Sequence, residues 1–219
     1  VWGLRKEPFI GVRPLNHAKE APTTGAWQFT NAIDSWSWQG YEGEKAVVEV
    51  YANSASVRLL LNGKEIANKP VKKYKTLFKL PYQPGTLTAE ALDERGNVIS
   101  SHSLTTAGKE TVLRVTPDKM VLCANNQALC YLPIEFTDKA GNLKPYMEQR
   151  VKVAVAGAAT LAGFGSALCK TNEVFDKPYH HSYRGRCLAV LRAGSTPGKA
   201  KVTVTSAGME PVTIEVEVQ

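Results

Sequence analysis

Short segments that alternate apolar and polar residues, recurring about every ten positions, are the feature that most constrains how this chain folds. Alternation with a period of two gives a strand one face towards a core and one towards solvent. In the first half of the chain, such segments lie at residues 46–51, 57–61, 76–80, 87–92 and 98–104. Because no helical period separates them, we predict an antiparallel β-sandwich rather than alternating strands and helices.

Turn-forming residues between the segments support this prediction. Asn62-Gly63 is the strongest hairpin signal, since a type I′ turn needs positive φ at both central positions and these two residue types tolerate it. Residues 84–85 (Pro-Gly) and 95–97 (Arg-Gly-Asn) separate the later segments. The first half is therefore predicted to form an immunoglobulin-like (Ig-like) sandwich.

A second series of strand-like segments follows. It comprises residues 111–116, 129–137, 150–156, 188–192, 199–205 and 212–218. Turn-forming residues at 138–142, 195–198 and 207–208 separate these segments. We therefore predict an all-β chain of two consecutive Ig-like antiparallel β-sandwiches, the first at residues 34–110 and the second at residues 111–219. The second resembles bacterial Ig-like domains of the invasin type.

Two regions depart from the strand pattern. Residues 1–33 hold three prolines and scattered aromatic residues, so we predict an irregular connector that packs on a neighbouring surface. Residues 157–186 are rich in glycine and aromatic residues, and long loops of this kind are often functional or part of an interface. Residues 163–165 (Gly-Phe-Gly) lack the strand-to-helix context of a phosphate-binding loop, and we predict a bend between strands there.

The net charge of +7 raises the question of a nucleic-acid partner. Six lysines cluster in one stretch: Lys64, Lys69, Lys72, Lys73, Lys75 and Lys79. Few aromatic residues lie among them and no nucleic-acid-binding consensus is present. We favour a lysine-rich strand edge, which guards against aggregation, and expect no nucleic-acid partner.

Apolar runs are far shorter than the roughly 18 residues of a membrane helix, so no membrane span is predicted.

The four cysteines leave two interpretations open. None of Cys123, Cys130, Cys169 and Cys187 forms a Cys-x-x-Cys pair, which removes the common zinc and thioredoxin-like motifs. An even number permits two disulfides in an oxidising compartment. Cys130 and Cys187 continue apolar alternations, however, which favours buried free thiols.

Trp36, Trp38 and Tyr41 are the first candidate contacts for a carbohydrate. Aromatic residues spaced by two on a strand lie on the same side and could stack on sugar rings. The same spacing also suits a core, where Trp is highly buried on average, and we favour the core for the two tryptophans. A second set of candidate sugar contacts lies in the glycine-rich region: Tyr179, His181 and Tyr183.

The sequence offers no convincing metal site or catalytic motif. His180 and His181 with Asp176 supply ligand types for a metal, but adjacent residues of an extended segment point to opposite faces. Nothing supplies the remaining ligands, and no nucleophile motif is present. We therefore predict no metal, no cofactor and no catalytic residue in this chain.

Several motifs, taken in order, carry a resemblance to a known family. They lie at residues 2–12, 34–38 (Asp-Ser-Trp-Ser-Trp), 48–53, 59–64 (Leu-Leu-Leu-Asn-Gly-Lys), 80–87, 138–142 (Asp-Lys-Ala-Gly-Asn), 161–165 and 183–190. Together they resemble the C-terminal region of bacterial glycoside hydrolase family 2 enzymes, which are β-galactosidase-like proteins. The resemblance spans nearly the whole chain.

The resemblance implies a longer parent enzyme in which a catalytic (β/α)₈ barrel precedes these sandwiches. Such a retaining glycosidase uses two carboxyl groups, supplied in this family by glutamates on barrel strands. A barrel needs about 250 residues of strands and helices, so no catalytic glutamate is carried over to this chain. Residues 1–33 would connect to the barrel, and the sandwiches would pack on it within one polypeptide. A periplasmic or extracellular location is expected.

Three functions are compatible with these expectations. The first is a non-catalytic C-terminal part of a β-galactosidase-like enzyme, which supports the barrel and shapes access to its substrate. The second is a carbohydrate-binding module. The third is an Ig-like adhesion or spacer module.

Overall fold

The computed structural model of the protein describes residues 6–18 and 29–219. Within these residues the chain forms strands and turns but no helix, which confirms the all-β prediction. The chain divides into two compact units between Ala107 and Gly108.

Unit 1 is built from two antiparallel sheets. Its described strands are β1 (Phe9–Val12), β2 (Lys45–Tyr51), β3 (Ser56–Leu61), β4 (Lys64–Pro70), β5 (Lys75–Pro81), β6 (Thr86–Leu92) and β7 (Val98–Thr105). One sheet has the order β1-β2-β5 and the other β4-β3-β6-β7. In β5, Phe78 and Leu80 are buried whereas Leu77 and Lys79 are exposed. This alternation gives the strand one core face, as the sequence predicts.

Unit 2 has the same two-layer architecture with more strands. They are β8 (Val112–Val115), β9 (Val121–Leu122), β10 (Leu129–Thr137), β11 (Arg150–Gly157), β12 (Ala159–Gly165), β13 (Tyr179–His181), β14 (Arg186–Ala193), β15 (Gly198–Ser206) and β16 (Val212–Val218). The sheet orders are β12-β14-β10-β8 and β13-β11-β15-β16-β9. Strand β9 runs parallel to β16, whereas the other pairings in the unit are antiparallel. Cys130 and Cys187 face the core, as their alternation predicts, and all four thiols are free.

The strands that sequence reasoning missed are short, polar or rich in glycine. Strand β1 lies inside the predicted connector, where it pairs with β2, and the backbones of Val12 and Ile33 exchange two hydrogen bonds beside it. Residues 1–5 and 19–28 of that connector lie outside the described residues, and its link to a further domain stays a prediction. Strand β4 is an edge strand with mostly exposed polar residues and no buried one, so it lacks the apolar alternation.

The prediction of a bend at residues 163–165 was wrong. These residues belong to β12, which pairs with β14 through a register shift between Leu161 and Gly163. The glycine at 165 leaves room for the Phe175 ring, which a Cβ atom at that position would overlap. The Phe164 N–H donates to the Phe175 carbonyl at 2.8 Å. Glycine is therefore needed here for close packing rather than for a turn.

The predicted Asn62-Gly63 hairpin is confirmed, with φ values of 53° and 77°. The Asn62 side chain also holds the turn before β6: its Oδ1 accepts from the Thr86 N–H at 2.9 Å and its Nδ2 donates to the Pro84 carbonyl at 3.2 Å. Gly85 has φ 137° and lies so close to Asn62 that a Cβ atom would overlap its side chain. The two separate turn signals in the sequence are thus one interlocked structure.

The lysine cluster lies on two edge strands and the turn that joins them. Lys64 and Lys69 belong to β4, and Lys75 and Lys79 belong to β5. Each of these strands lies at the edge of its sheet, which confirms the predicted lysine-rich edge.

No helix in the described part of the chain is long and apolar enough to span a bilayer.

Candidate functional site

Trp36 and Trp38 are both completely buried in the core of unit 1. The Trp36 ring meets the Tyr82 ring edge-on, with centroids 4.9 Å apart, and its Nε1 donates to the Gln83 carbonyl at 3.0 Å. The Trp38 N–H donates to the Tyr82 hydroxyl at 3.0 Å. An indole ring with no exposed surface has no face free for a sugar. The structure therefore removes both tryptophans from the candidate sugar contacts and places them in the core.

The residues around these tryptophans hold the end of unit 1 in place. The Thr106 hydroxyl donates to the Trp36 carbonyl at 2.7 Å and accepts from the Gly85 N–H at 3.0 Å. The Ala107 N–H donates to the Ser37 hydroxyl at 2.8 Å. The Asp-Ser-Trp-Ser-Trp motif is thus a structural element that fixes residues 106 and 107 at the end of unit 1.

Tyr41 forms no aromatic platform with the tryptophans. It is half-buried against the core of unit 1, and its N–H donates to the Trp38 carbonyl at 3.1 Å. Its candidate role as a sugar contact stays a prediction, but the structure does not combine it with Trp36 or Trp38 in one exposed surface.

Tyr179 and His181 lie on the exposed face of β13. His180 between them is fully buried, so the adjacent histidines do point to opposite faces, as the sequence analysis expected. Strand β11 pairs with β13 and presents Arg150 and Lys152 on the same exposed face. The Arg150 guanidinium carbon lies 4.0 Å from the centre of the Tyr179 ring. These residues form an exposed surface with an aromatic ring and positive charge.

Glu173 is the residue that joins the two histidines, whereas sequence reasoning pointed to Asp176. Glu173 Oε1 lies 2.8 Å from Nδ1 of His181, and its Oε2 lies 3.3 Å from Nδ1 of His180. Burial alone would raise the pKa of Glu173, but hydrogen bonds from His181 outweigh it and lower the pKa below its usual value. Asp176 instead pairs with Lys177 at 3.6 Å. No group of three metal-ligating side chains among the described residues could hold an ion.

Tyr183 lies apart from the exposed face of β13. It is half-buried, and its ring centre is 4.9 Å from the Arg184 guanidinium carbon. The buried Ser182 separates it from β13, with its hydroxyl donating to the Met147 carbonyl at 2.8 Å. A sugar contact at Tyr183 stays a prediction.

A buried carboxylate in unit 1 was missed by sequence reasoning. Glu49 in β2 is completely buried, and its oxygens lie 2.8 Å from Arg13 Nε, 2.7 Å from Lys75 Nζ and 2.6 Å from the Tyr51 hydroxyl. Burial by itself raises the pKa of Glu49, but the hydrogen bonds of Lys75, Tyr51, Arg13 and Thr30 outweigh it and lower the pKa to about 2. Glu49 is thus a fully paired anion.

Unit 2 contains a buried cation that was missed as well. Lys144 has no exposed surface, and its ammonium group donates to the Lys109 carbonyl at 2.9 Å, the Glu110 carbonyl at 2.6 Å and the Thr111 hydroxyl at 2.9 Å. Burial lowers the pKa of Lys144, and the attraction of Asp138 and Glu110 offsets this only in part. The ammonium group has three acceptors for its three protons, which leaves none for a ligand.

Comparison with known protein families finds one match in each unit. Residues 113–215 match the family model "Glycoside hydrolase family 2 C-terminal domain 5". Residues 43–100 match a domain of unknown function, DUF4982.

A curated relative extends over both units. The chain is 30% identical over 195 residues to the β-galactosidase BoGH2A of Bacteroides ovatus, which covers 88% of this chain and 23% of that protein. A solved glycoside hydrolase family 2 member from Bacteroides cellulosilyticus has a TM-score of 0.85 and 27% identity, covering 97% of this chain and 28% of that chain. The chain is similar along both units to the C-terminal region of glycoside hydrolase family 2 proteins. This confirms the resemblance drawn from the motifs.

The fold of this glycoside hydrolase family 2 region recurs in a more distant structure. A β-glycosidase from Bacteroides vulgatus has a TM-score of 0.78 at 21% identity, covering 98% of this chain and 25% of that chain. The chain spans about a quarter of the length of the relatives it matches.

Proposed function

We propose that these two sandwiches are non-catalytic accessory domains of a β-galactosidase-like glycoside hydrolase family 2 enzyme. The observation that carries the proposal is the alignment over both units with a β-galactosidase, of which it occupies 23%. The matching family model describes this part as a C-terminal domain. In the parent enzyme, the sandwiches would pack on the catalytic barrel within one polypeptide and shape access to the substrate.

The chemistry of the buried ionised groups supports a structural role. Glu49 and Lys144 have their charges satisfied by groups of their own unit. A catalytic carboxyl group of a retaining glycosidase must instead face a sugar, with a second carboxyl group about 5 to 5.5 Å away. We infer that hydrolysis of the glycosidic bond takes place in the barrel of the parent.

Turnover of aryl-β-galactosides tests the proposal directly. The 219-residue chain alone should release no aryl alcohol above the uncatalysed rate, whereas the full-length parent should. Turnover by the chain that survives repurification would overturn the non-catalytic assignment.

A Trp36→Ala substitution in the parent tests the supporting role. Loss of a buried tryptophan costs about 3–5 kcal/mol of stability, so the melting temperature should fall while kcat of the remaining folded enzyme stays near wild type. Leu77→Ala, at an exposed position of the same unit, is the matched control. An unchanged melting temperature of the Trp36→Ala parent would contradict the role of this junction.

Carbohydrate binding is a second candidate function, and the exposed Tyr179 beside Arg150 favours it.

The periplasmic or extracellular location expected from the sequence is also a proposal, which fractionation of cells expressing the parent would test. Recovery of the enzyme in the cytoplasmic fraction alone would contradict that location.

A further inference from the structure

The exposed face of the five-stranded sheet in unit 2 carries a row of three different side chains. The strand register places Lys152 of β11 opposite Tyr179 of β13 on one side and opposite Thr205 of β15 on the other. Cross-strand neighbours on one face lie about 5 Å apart between Cβ atoms, so their side chains act together. Arg150 adds its guanidinium group, stacked at 4.0 Å from the Tyr179 ring centre.

These residues line a shallow cleft of about 580 Å³, here called the Tyr179 cleft. Its lining consists of Arg150, Lys152, Tyr179, Thr205, Ser206 and Ala207. The Ser206 hydroxyl donates to the Arg150 carbonyl at 2.9 Å, which ties β15 to the start of β11. The lining thus combines two positive charges, two aliphatic hydroxyl groups and an aromatic ring, with no carboxylate.

The positive charges of this cleft differ from the others on the same sheet face. Lys199 pairs with Glu215 at 3.1 Å, and Lys201 lies directly opposite Glu215 in the register. Among the described residues, neither Arg150 nor Lys152 forms an ion pair with a carboxylate. The two cations of the cleft are therefore available to a negatively charged ligand.

The stacked arrangement suits recognition of an anion beside an apolar ring. A guanidinium group that lies over an aromatic face keeps its N–H edge free to donate two parallel hydrogen bonds to a carboxylate or sulfate group. Tyrosine presents an apolar body with a polar tip, which suits a ligand that has both kinds of surface. A charged sugar has this composition.

We propose that the Tyr179 cleft binds an acidic sugar of a glycan. Its carboxylate or sulfate group lies between Arg150 and Lys152, and its ring packs beside Tyr179. This binding goes beyond the accessory role and needs no catalytic domain, so it is measured on the 219-residue chain and its failure leaves the turnover test unaffected.

Affinity electrophoresis at about 150 mM salt tests the ligand class. Gels contain polygalacturonate, a sulfated galactan, neutral galactan or single-stranded DNA. Retardation by an acidic glycan but not by neutral galactan is expected, and the two acidic arms distinguish a carboxylate from a sulfate. Absence of retardation by both acidic glycans, equal retardation by neutral galactan, or stronger retardation by DNA would overturn the proposal.

Substitutions identify the cleft as the binding surface. Arg150→Ala and Tyr179→Ala should each weaken binding about tenfold, the loss typical of one charged hydrogen bond or aromatic contact, whereas Tyr179→Phe should stay near wild type. Lys199→Ala is the matched control, since it removes one positive charge from the same sheet face outside the cleft. Protection of the buried Cys130 and Cys187 thiols verifies that each variant is folded. An equal loss in Lys199→Ala, or no loss in the two cleft variants, would overturn the site.

Discussion

Glu49 in unit 1 and Lys144 in unit 2 are both completely buried ionised side chains, but their charges are stabilised in different ways. Glu49 is paired with two cations and a phenol hydroxyl. Lys144 is surrounded by two carbonyl groups and a neutral hydroxyl. The partners of Glu49 outweigh the effect of burial and lower its pKa, whereas at Lys144 the attraction of Asp138 and Glu110 offsets burial only in part, so its pKa is lowered too.

Glu49 and Lys144 also differ in what their partners lose when the buried charge is removed. The partners of Glu49 reach solvent in part, with side-chain exposures of 37% for Arg13 and 30% for Lys75, so they can be rehydrated if the carboxylate is removed. The carbonyl groups around Lys144 belong to the first residues of unit 2, which the ammonium group holds together. Loss of Lys144 is therefore expected to cost more than loss of Glu49.

The sequence provides a separate reporter for each unit. All four tryptophans lie in residues 1–107 and all four cysteines in residues 108–219. Tryptophan fluorescence therefore follows the unfolding of unit 1. Reaction of the buried Cys130 and Cys187 thiols follows the unfolding of unit 2.

Lys144→Ala should have the largest effect. Removing a buried charge leaves its partners without hydrogen bonds and opens a cavity, which costs about 3–5 kcal/mol. Thiol reactivity in urea should report the loss in unit 2, while tryptophan fluorescence should change little. Lys139→Ala is the control, because its exposed ion pair with Glu110 contributes less than about 1 kcal/mol. Equal stability of the Lys144→Ala and Lys139→Ala chains would contradict the structural role of the buried Lys144.

Glu49→Gln should destabilise unit 1 by about 2–3 kcal/mol, because hydrogen bonds to a charged group are replaced by weaker ones to an amide. Tryptophan fluorescence in urea measures this loss. Glu90→Gln, in the part-exposed ion pair with Arg58, is the matched control in the same unit and should cost less than about 1 kcal/mol. A Glu49→Gln chain as stable as Glu90→Gln would mean that the pairing of Glu49 contributes little.

Acidification should weaken unit 1 through protonation of Glu49. The pKa of Glu49 falls from 4.5 to about 2 on folding, so the unfolded chain binds more protons between these values. Its contribution to stability is therefore present above pH 4.5 and is lost as the pH falls towards 2, by about 2 kcal/mol between pH 4.5 and pH 3. The difference in stability between wild type and Glu49→Gln, followed by tryptophan fluorescence, should shrink over this range. A difference that is constant with pH would contradict the lowered pKa.

The smallest effect concerns a turn that occurs once in each unit. Residues 93–97 and 138–142 share the pattern Asp-x-x-Gly-Asn, and in each the aspartate accepts hydrogen bonds from the backbone and side chain of the asparagine. Asp138 accepts a further hydrogen bond from the Gly108 N–H at 2.8 Å and is buried, whereas Asp93 is not.

Asp138→Ala should therefore destabilise unit 2 by about 1–2 kcal/mol. Asp93→Ala should destabilise unit 1 by a smaller free energy. Thiol reactivity and tryptophan fluorescence in urea measure the two losses. A greater destabilisation by Asp93→Ala than by Asp138→Ala would contradict the stabilising role of the hydrogen bond between Asp138 and Gly108.

The strands that sequence reasoning found and missed differ in a physical way. β10 and β16 match their predicted bounds because one face of each packs in the core and leaves an alternating pattern. β4 has no such pattern because none of its residues is buried, and β13 has only three residues. Alternation of apolar and polar residues arises where one face of a strand is buried, so a short or exposed strand cannot be recognised from this pattern.

The candidate site was predictable only in part. Tyr179 and His181 were named as candidates because they lie in a region rich in glycine and aromatic residues. Their partners Arg150 and Glu173 were not found, because contacts between residues far apart in the chain leave no local pattern. The burial of Trp36 and Trp38 was favoured from composition, but their hydrogen bonds to Tyr82 and Gln83 were not predictable.

The sequence by itself determined that this chain is all-β, where its hairpin turns lie and which family it resembles, because side-chain alternation and turn chemistry are local properties. Only the tertiary structure decided which charges are buried and which aromatic rings are exposed. Glu49 became a paired anion and Tyr179 a stacked surface ring because strands distant in sequence became neighbours in a sheet. Long-range pairing is what gives a residue its environment, and with it its pKa, its accessibility and its function.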